Sequence, residues 1–159
     1  MIEETPQEVQ VVEGVLLAHG IEPRTHWFEA STATALEAAA ALGVDVGAIA
    51  NSLVFRLDEE VIMIIASGAH RVDTHLLGEW LGGIVTRASA DMVRRSTGQV
   101  VGGVSPVGHP ERLRTLVDVS LGAYERVWVS AGHPHAVFPT TFEELLRLTG
   151  GTAALVARD

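Results

Sequence analysis

The stretch that decides the fold runs from Ser52 to Ser67 and reads "SLVFRLDEEVIMIIAS". Two runs rich in β-branched and other apolar residues are separated by the polar "DEE", a pattern typical of a β-hairpin or of adjacent strands in one sheet. The second run is nearly all apolar, as expected for a strand that is buried on both faces. The stretch therefore predicts a sheet with this second strand near its centre.

Helix signals surround this stretch on both sides. Capping boxes and single capping residues mark the starts, and glycines mark the ends. In the first helix, Pro6 is predicted at the first helical position, and Val9, Val12 and Leu16 follow at helical spacing. Four helices are predicted in this way, each given by its N-terminal capping residues and its C-terminal glycine: Thr5–Glu8 and Gly20, Thr34–Glu37 and Gly43, Asp73 and Gly82, and Ser89 and Gly98.

The second half of the chain adds more strands and one more helix. Strands are predicted over Thr115–Val119, Arg126–Ser130 and Ala136–Pro139, followed by the capped helix "TTFEELLRLTGG" and a last strand in "TAALVA". Runs of strands with helices before, between and after them favour an α+β fold over a regularly alternating one. We expect a single domain over residues 1–159.

Composition excludes several classes of function. The chain has 159 residues, a formal net charge of −9 and no cysteine. Disulfides, thiolate catalysis and cysteine-ligated zinc are therefore excluded, and a phosphate-rich partner has no overall electrostatic attraction to the protein. Apolar runs are far shorter than the ~20 residues of a membrane span, and the acidic "MIEETPQEVQ" has no basic leader, so we expect a cytoplasmic protein without a membrane partner.

Two catalytic alternatives are weak on spacing alone. His133 and His135 would share one side of an extended segment, but a metal site needs three or four converging ligands, so we expect no metal. Ser105 lies between glycines, yet Pro106 follows it and has no N–H to donate to an oxyanion, which argues against a nucleophilic serine. The glycine order required by a dinucleotide loop is also absent, and we expect no cofactor.

The glycine-rich and proline-rich stretch "VVGGVSPVGHP", from Val100 to Pro110, is the remaining candidate. Gly102–Pro106 has the form G-x-x-x-P, in which glycine lets backbone N–H groups approach a ligand and proline fixes the exit. Such a loop could bind an ester carbonyl through backbone donors, or it could be a structural turn. On the first interpretation, we expect Gly102→Ala to crowd the substrate and leave the fold largely intact.

Four segments together resemble the YbaK/ProX family of trans-editing aminoacyl-tRNA deacylases, which are relatives of the editing insertion domain of prolyl-tRNA synthetase. They cover most of Thr32 to Gly150, and their order and spacing carry the likeness. The segments are "TATALEAAAALGV", "IANSLVFRLDEEVIMIIASGAHRVD", "TGQVVGGVSPVGHP" leading to "TLVDVSL", and "VWVSAGHPHAVFPTTFEELLRLTG".

The resemblance implies an α+β domain with a mixed, partly barrel-like sheet and surrounding helices. It implies hydrolysis, without a cofactor, of the ester at the acceptor end of a mischarged tRNA of the proline group. It leaves open whether the protein is a homodimer. By resemblance, the backbone of Gly102 and Gly103 takes part in catalysis. The implied substrate-binding residues are Phe28, Ser52, Ser67, Gly68, Val104, Ser105, Pro106, Ser130 and Gly132.

One position departs from the family pattern. The signature lysine of the family should precede Ser52, but the chain has Asn51 there, and all 11 of its basic residues are arginine. An uncharged amide cannot make the charge-assisted contact of an ammonium group. Asn51 is therefore implied either to position the ester in a deacylase or to mark a relative that binds aminoacyl-tRNA or an amino acid without catalysis.

Because the protein is acidic overall, an RNA partner would have to be bound through a few local contacts. Arg71, Arg94 and Arg95 are the candidates for phosphate contacts, although a helix C-terminus would also favour Arg94 and Arg95. "SGAHRVD" could add polar groups to the site through His70, Arg71 and Asp73, or Asp73 could serve only as a helix cap.

Overall fold

The computed structural model describes residues 5–158. The described chain contains these α-helices: α1 Gln7–Ala18, α2 Ala35–Leu42, α3 Thr74–Leu81, α4 Ala90–Thr97 and α5 Phe142–Thr149. Its strands are β1 His26–Trp27, β2 Ile49–Leu57, β3 Glu60–Ser67, β4 Val85–Arg87, β5 Arg114–Asp118, β6 Val127–His133, β7 Ala136–Thr140 and β8 Thr152–Ala154. The predicted α+β class with a mixed sheet is confirmed.

The predicted hairpin is the centre of the sheet. β2 and β3 pair antiparallel from Ala50↔Ser67 to Leu57↔Glu60, and Asp58 in the turn has φ 53°. The strand order is β1-β7-β6-β2-β3-β5-β8, with β4 attached to β2, and β2/β6, β3/β5 and β5/β8 are parallel pairs. β3 is thus internal, which explains why its sequence is apolar on both faces.

The helix caps follow the sequence closely except at α1. Thr34 and Glu37 form the predicted capping box, and the side chains of Asp73 and Ser89 accept the expected backbone hydrogen bonds. At α1 the prediction is wrong by one position, because Pro6 is the N-cap and no side chain caps the helix. The predicted buried stripe of α1, made of Val9, Val12 and Leu16, is confirmed.

The sheet has apolar clusters on both of its faces. Ala50 and Val54 of β2 face the cluster under α1 and α5, whereas Phe55 and Leu57 face the cluster under α3. Ile49 belongs to a third, smaller cluster under α2. Since side chains alternate along a strand, Ser52 shares the α1/α5 face and Asn51 shares the opposite face.

Two short strands were not predicted. β1 and β4 have two and three residues, too few for an alternating pattern to be recognised. No helix in residues 5–158 is long and apolar enough to cross a membrane.

Candidate active site

The candidate site lies at an incompletely paired edge of β2. On that edge, β6 pairs with Ile49 and Ala50, and β4 pairs with residues 55–57. Between these pairings, residues 51–54 have no strand neighbour on this edge within the described chain, and the Val54 C=O accepts a hydrogen bond from Ala88 N–H. A strand edge left open inside a sheet offers backbone groups to a ligand.

The glycine–proline loop borders this open edge and forms a small cleft with it. Three predicted site residues, Ser52, Gly102 and Val104, meet there, and the cleft has a volume of about 80 Å³. The remaining lining is mostly apolar: Leu53, Val54, Phe55, Arg87, Ala88, Val93 and Val101.

The cleft contains a buried polar atom without a partner in the described chain. Ser52 Oγ is shielded from solvent and has no hydrogen-bond partner among the described residues. Buried hydroxyls are nearly always satisfied, because leaving one without a partner costs about 1–3 kcal/mol. A ligand or a water molecule at the cleft would supply the missing partner.

The loop leaves a limited set of backbone donors for a substrate. Gly103 N–H donates to Val100 C=O within the loop, and Ser105 N–H donates to the Gln99 side chain. Pro106 has no N–H. The N–H groups of Gly102 and Val104 have no acceptor in residues 5–158, so the donors available in Gly102–Pro106 are these two and not Gly103.

The two glycines of the loop are needed for close packing. Gly102 has φ 86°, and a Cβ built on it would lie 2.7 Å from the Cβ of Ala33. A Cβ on Gly103 would lie 2.8 Å from Cδ of Pro134. The expectation that Gly102→Ala leaves the fold intact is therefore wrong, because the added methyl group points at the segment before α2.

Ser105 and Pro106 are buried and have contacts inside the protein, and their contact with substrate stays a prediction. Ser105 is fully buried; its Oγ donates to Val107 C=O and accepts from Gln99 Nε2. Pro106 is buried and lines a different pocket, near α1 and α5. His109 Nε2 donates to Ser105 C=O; burial lowers the pKa of His109, and this hydrogen bond opposes the shift only in part.

Asn51 and Ser130 are neighbours on the other face of β2 and β6. They follow the parallel pair Ala50↔Val129 by one residue, so their side chains project on the same side. Asn51 is half-buried and its amide makes no hydrogen bond to another described residue. Ser130 Oγ accepts from Gly132 N–H at 3.2 Å and contacts His133 C=O at 3.5 Å, within a bulge of β6.

Gly132 lies against α1, and its contact with substrate stays a prediction. A Cβ on Gly132 would lie 3.1 Å from both Gln99 Nε2 and the Glu8 carbonyl oxygen, and its φ is 103°. The glycine therefore permits α1 to pack on the bulge.

Ser67 is held by hydrogen bonds inside the protein, and its contact with substrate stays a prediction. It is buried, its Oγ donates to Gly47 C=O, and its N–H donates to Asp118. Burial would raise the pKa of the Asp118 carboxyl, but hydrogen bonds from Ser120 and Ser67 outweigh burial and hold that pKa below its ordinary value. His70 also contacts this carboxylate, at 2.9 Å.

Gly68 allows two segments to approach closely, and the nearby Asp73 is a helix cap. A Cβ on Gly68 would lie 2.5 Å from the Val46 carbonyl oxygen and 2.7 Å from the Cβ of Ala35. The side chain of Asp73 caps α3 and does not reach the cleft.

Phe28 and the two histidines form a separate groove next to the site. Phe28 packs on the cluster under α2, and its C=O accepts from Nδ1 of His135. The groove is lined by Thr5, Pro6, Trp27, Phe28, Glu29, His133 and His135. Residues 5–158 contain no cluster of three or more potential metal ligands.

Comparison with known proteins settles the family. A family model for the aminoacyl-tRNA editing domain matches residues 29–148. This match covers most of the chain, including the open edge of β2, the loop and the β6 bulge. The chain belongs to the aminoacyl-tRNA editing domain family.

Relatives of the editing domain agree with this assignment. The chain is similar to a crystal structure of a proposed trans-editing enzyme for prolyl-tRNA synthetase, with 36% identity, a TM-score of 0.91 and coverage of 98% of this chain and 100% of the other. A crystal structure of a protein described as hypothetical has 31% identity, a TM-score of 0.86 and coverage of 93% and 99%. The uncharacterised protein YwhH of Bacillus subtilis (strain 168) is 34% identical over 119 residues, or 74% of this chain and 76% of its own.

Membership in the editing domain family confirms the resemblance seen in the sequence and assigns the protein to the aminoacyl-tRNA deacylases. Within this editing domain, Arg87 is a cleft residue that the sequence did not reveal, since it lies on the unpredicted strand β4. Its guanidinium is 6.0 Å from the centre of the Phe55 ring. Arg94 and Arg95, the predicted phosphate ligands, lie in the last turn of α4, where Arg95 pairs with Asp91 at 2.9 Å.

Proposed function

We propose that the protein hydrolyses the ester bond of a mischarged tRNA of the proline group, with the ester held between Ser52 and the Gly102–Val104 segment. The observation that carries this proposal is the buried, unpartnered Ser52 Oγ in a cleft that is also lined by Gly102 and Val104, whose backbone N–H groups have no acceptor among the described residues. An aminoacyl-tRNA substrate places the proposed activity in the cytoplasm. The proline group is supported by the likeness to the proposed trans-editing enzyme for prolyl-tRNA synthetase.

The ester carbonyl is the group that these donors fit. When water attacks it, negative charge develops on the carbonyl oxygen, and the N–H groups of Gly102 and Val104 stabilise that charge. The water oxygen bonds to the carbonyl carbon, and the bond to the ribose oxygen breaks. The ribose oxygen takes up a proton, and the products are a free amino acid and an uncharged tRNA end.

Attack by water fits the hydroxyl groups of the site better than attack by serine. Ser105 is fully buried and both of its hydrogen-bonding directions are used. Ser130 is held in the β6 bulge. In our proposal the ribose hydroxyl beside the ester assists the water, and the side chains orient the substrate.

Asn51 takes a neutral positioning role in this account. It lies beside Ser130 on the face of β2 opposite Ser52. In our proposal the substrate spans the open edge of β2, so that the unpaired Asn51 amide can donate to the ribose or accept from the amino group of the substrate. A binding-only protein is the second candidate, favoured by the absence of any lysine that could replace the family's cation.

The cleft next to Ser52 favours a small, uncharged amino-acid side chain. Its volume of about 80 Å³ is roughly half that of the 150 Å³ apolar cavity that binds benzene in an engineered protein. Arg87 gives the lining a positive charge, so cationic side chains are repelled.

A panel of mischarged tRNAs tests the proposal. Catalytic amounts of protein are incubated with tRNA of the proline group carrying alanine, serine, cysteine, leucine, arginine or proline, and the remaining ester is measured over time. We expect turnover of the small uncharged esters and protection of the leucyl and arginyl esters. Tight binding of the panel without turnover would favour the binding-only candidate, and neither binding nor turnover would refute both.

A further inference from the structure

The groove beside the site has the features of a stacking surface. Trp27 is 46% exposed although it is a large aromatic residue. Its ring lies 5.3 Å from that of His133, which lies 5.5 Å from that of His135. The groove that these rings line has a volume of about 570 Å³, in the range of ligand-binding clefts.

Hydrogen bonds fix both histidine rings. The N–H of His135 donates to Nδ1 of His133 at 3.0 Å, which leaves the proton of a neutral His133 ring on Nε2. Nδ1 of His135 donates to Phe28 C=O at 3.0 Å, so Nε2 of a neutral His135 ring is an acceptor. The rings therefore keep their orientation without a ligand, and they present one donor and one acceptor beside the exposed indole.

The groove lies next to the loop that lines the proposed ester site. Gly103 of the loop packs against the turn between the two histidines, where a Cβ would lie 3.0 Å from the His133 carbonyl carbon. Pro134 in that turn also accepts hydrogen bonds from Thr32, at 2.7 Å from the N–H and 3.0 Å from the hydroxyl. The turn between the two histidines therefore contacts both the loop of the proposed ester site and the segment that precedes α2.

Charge indicates which part of a nucleotide the groove contacts. Glu29 lies in the lining, and the protein as a whole carries a net charge of −9, so phosphate groups gain little there. Stacking of bases on aromatic rings does not depend on net charge, and every base has a face that can stack.

We propose that this groove binds the bases of the unpaired nucleotides that precede the esterified one at the tRNA 3′ end, by stacking on Trp27 and the His133–His135 pair. The inference rests on the proposed function, because it takes the aminoacyl ester to lie at Ser52. Affinity for the acceptor end then comes largely from bases, with a weak dependence on salt.

The test compares two exposed tryptophans in the full chain. Trp27→Ala is expected to raise the KM for a mischarged tRNA about tenfold, with kcat within about twofold. Trp80→Ala is the matched control, since Trp80 is 56% exposed on α3 and lies outside this groove; its KM should be unchanged. Equal KM values for Trp27→Ala and the parent would overturn the inference while leaving the proposed function intact.

A binding measurement separates the inference from catalysis. In the Trp80→Phe background, a single-stranded RNA ending in CCA should quench the fluorescence of the exposed Trp27, whereas the same RNA lacking the bases at its last three positions should not. Quenching by the intact RNA in a protein that hydrolyses no ester would refute the proposed function and support the groove. Equal quenching by both RNAs, or none by either, would overturn the groove.

Discussion

Replacing Ser52 and Ser105 by alanine should have opposite effects on stability, because Ser52 Oγ has no partner among the described residues whereas Ser105 Oγ has two. Ser52 Oγ is buried without a protein partner, so Ser52→Ala removes an unsatisfied group. We expect the free energy of unfolding to stay the same or to rise by up to about 1 kcal/mol. Loss of one neutral hydrogen bond to substrate, ~0.5–1.5 kcal/mol, should slow single-turnover deacylation by about 2- to 12-fold.

Ser105→Ala is the matched control for a buried hydroxyl. It loses the hydrogen bonds to Val107 and Gln99 and leaves the Gln99 amide without one of its partners. Stability should fall by about 1–3 kcal/mol, which lowers the melting temperature by roughly 2–12 °C for a domain of this size. Thermal melts and single-turnover rates are measured for both variants. A Ser52→Ala protein that melts several degrees lower and deacylates at the parental rate would refute the assignment of Ser52 to the site.

Three further predictions concern a glycine, the position that departs from the family, and a buried histidine. Gly102→Ala should lower the free energy of unfolding, measured in denaturant, by about 2–5 kcal/mol, because Gly102 has a positive φ and its added Cβ would approach Ala33. The control is Gly14→Ala in α1, where a Cβ meets nothing within 4 Å and should add about 0.5–1 kcal/mol of stability. Equal effects of the two substitutions would contradict the packing argument. Asn51→Ala should slow single-turnover deacylation with little change in melting temperature, and Asn51→Lys should speed it by restoring a cation; unchanged rates in both would remove Asn51 from the mechanism. Burial lowers the pKa of His109 below 6.5 in the folded protein. The free energy of unfolding should therefore decrease as the pH falls from 6.5 towards this lowered pKa, because the unfolded chain binds the proton more readily. Melting temperatures of the parent protein and of His109→Gln that change in parallel between about pH 7 and 5 would show that His109 makes no such contribution.

The sequence predicts those parts of the fold that depend on local signals. The hairpin is encoded by two apolar runs around "DEE", and the box of Thr34 and Glu37 is complete within four residues. The α1 cap failed because the helix begins one residue later than Thr5 suggests. β1 and β4 exist through their pairing partners and carry too few residues for a pattern of their own. The single-domain organisation and the homodimer stay predictions from the sequence.

The site could be predicted only in outline. The loop was identifiable from its glycines and proline, but the direction in which Gly102 packs depends on Ala33, 69 positions earlier in the chain. Ser105 looked available because its Gln99 partner cannot be recognised from the pattern around the serine. Arg87 was missed for the same reason: the sequence does not show that β4 joins the edge of β2.

Chemical shifts of backbone amides test the central claim most directly. A stable analogue of the substrate, with the amino acid joined to the terminal adenosine by an amide in place of the ester, is titrated into isotope-labelled protein. The account predicts the largest amide shifts at Gly102 and Val104, whose N–H groups have no acceptor in the described structure, and small shifts at Gly103 and Ser105, whose N–H groups are already bonded. Saturating binding that leaves the Gly102 and Val104 amides unmoved would contradict it.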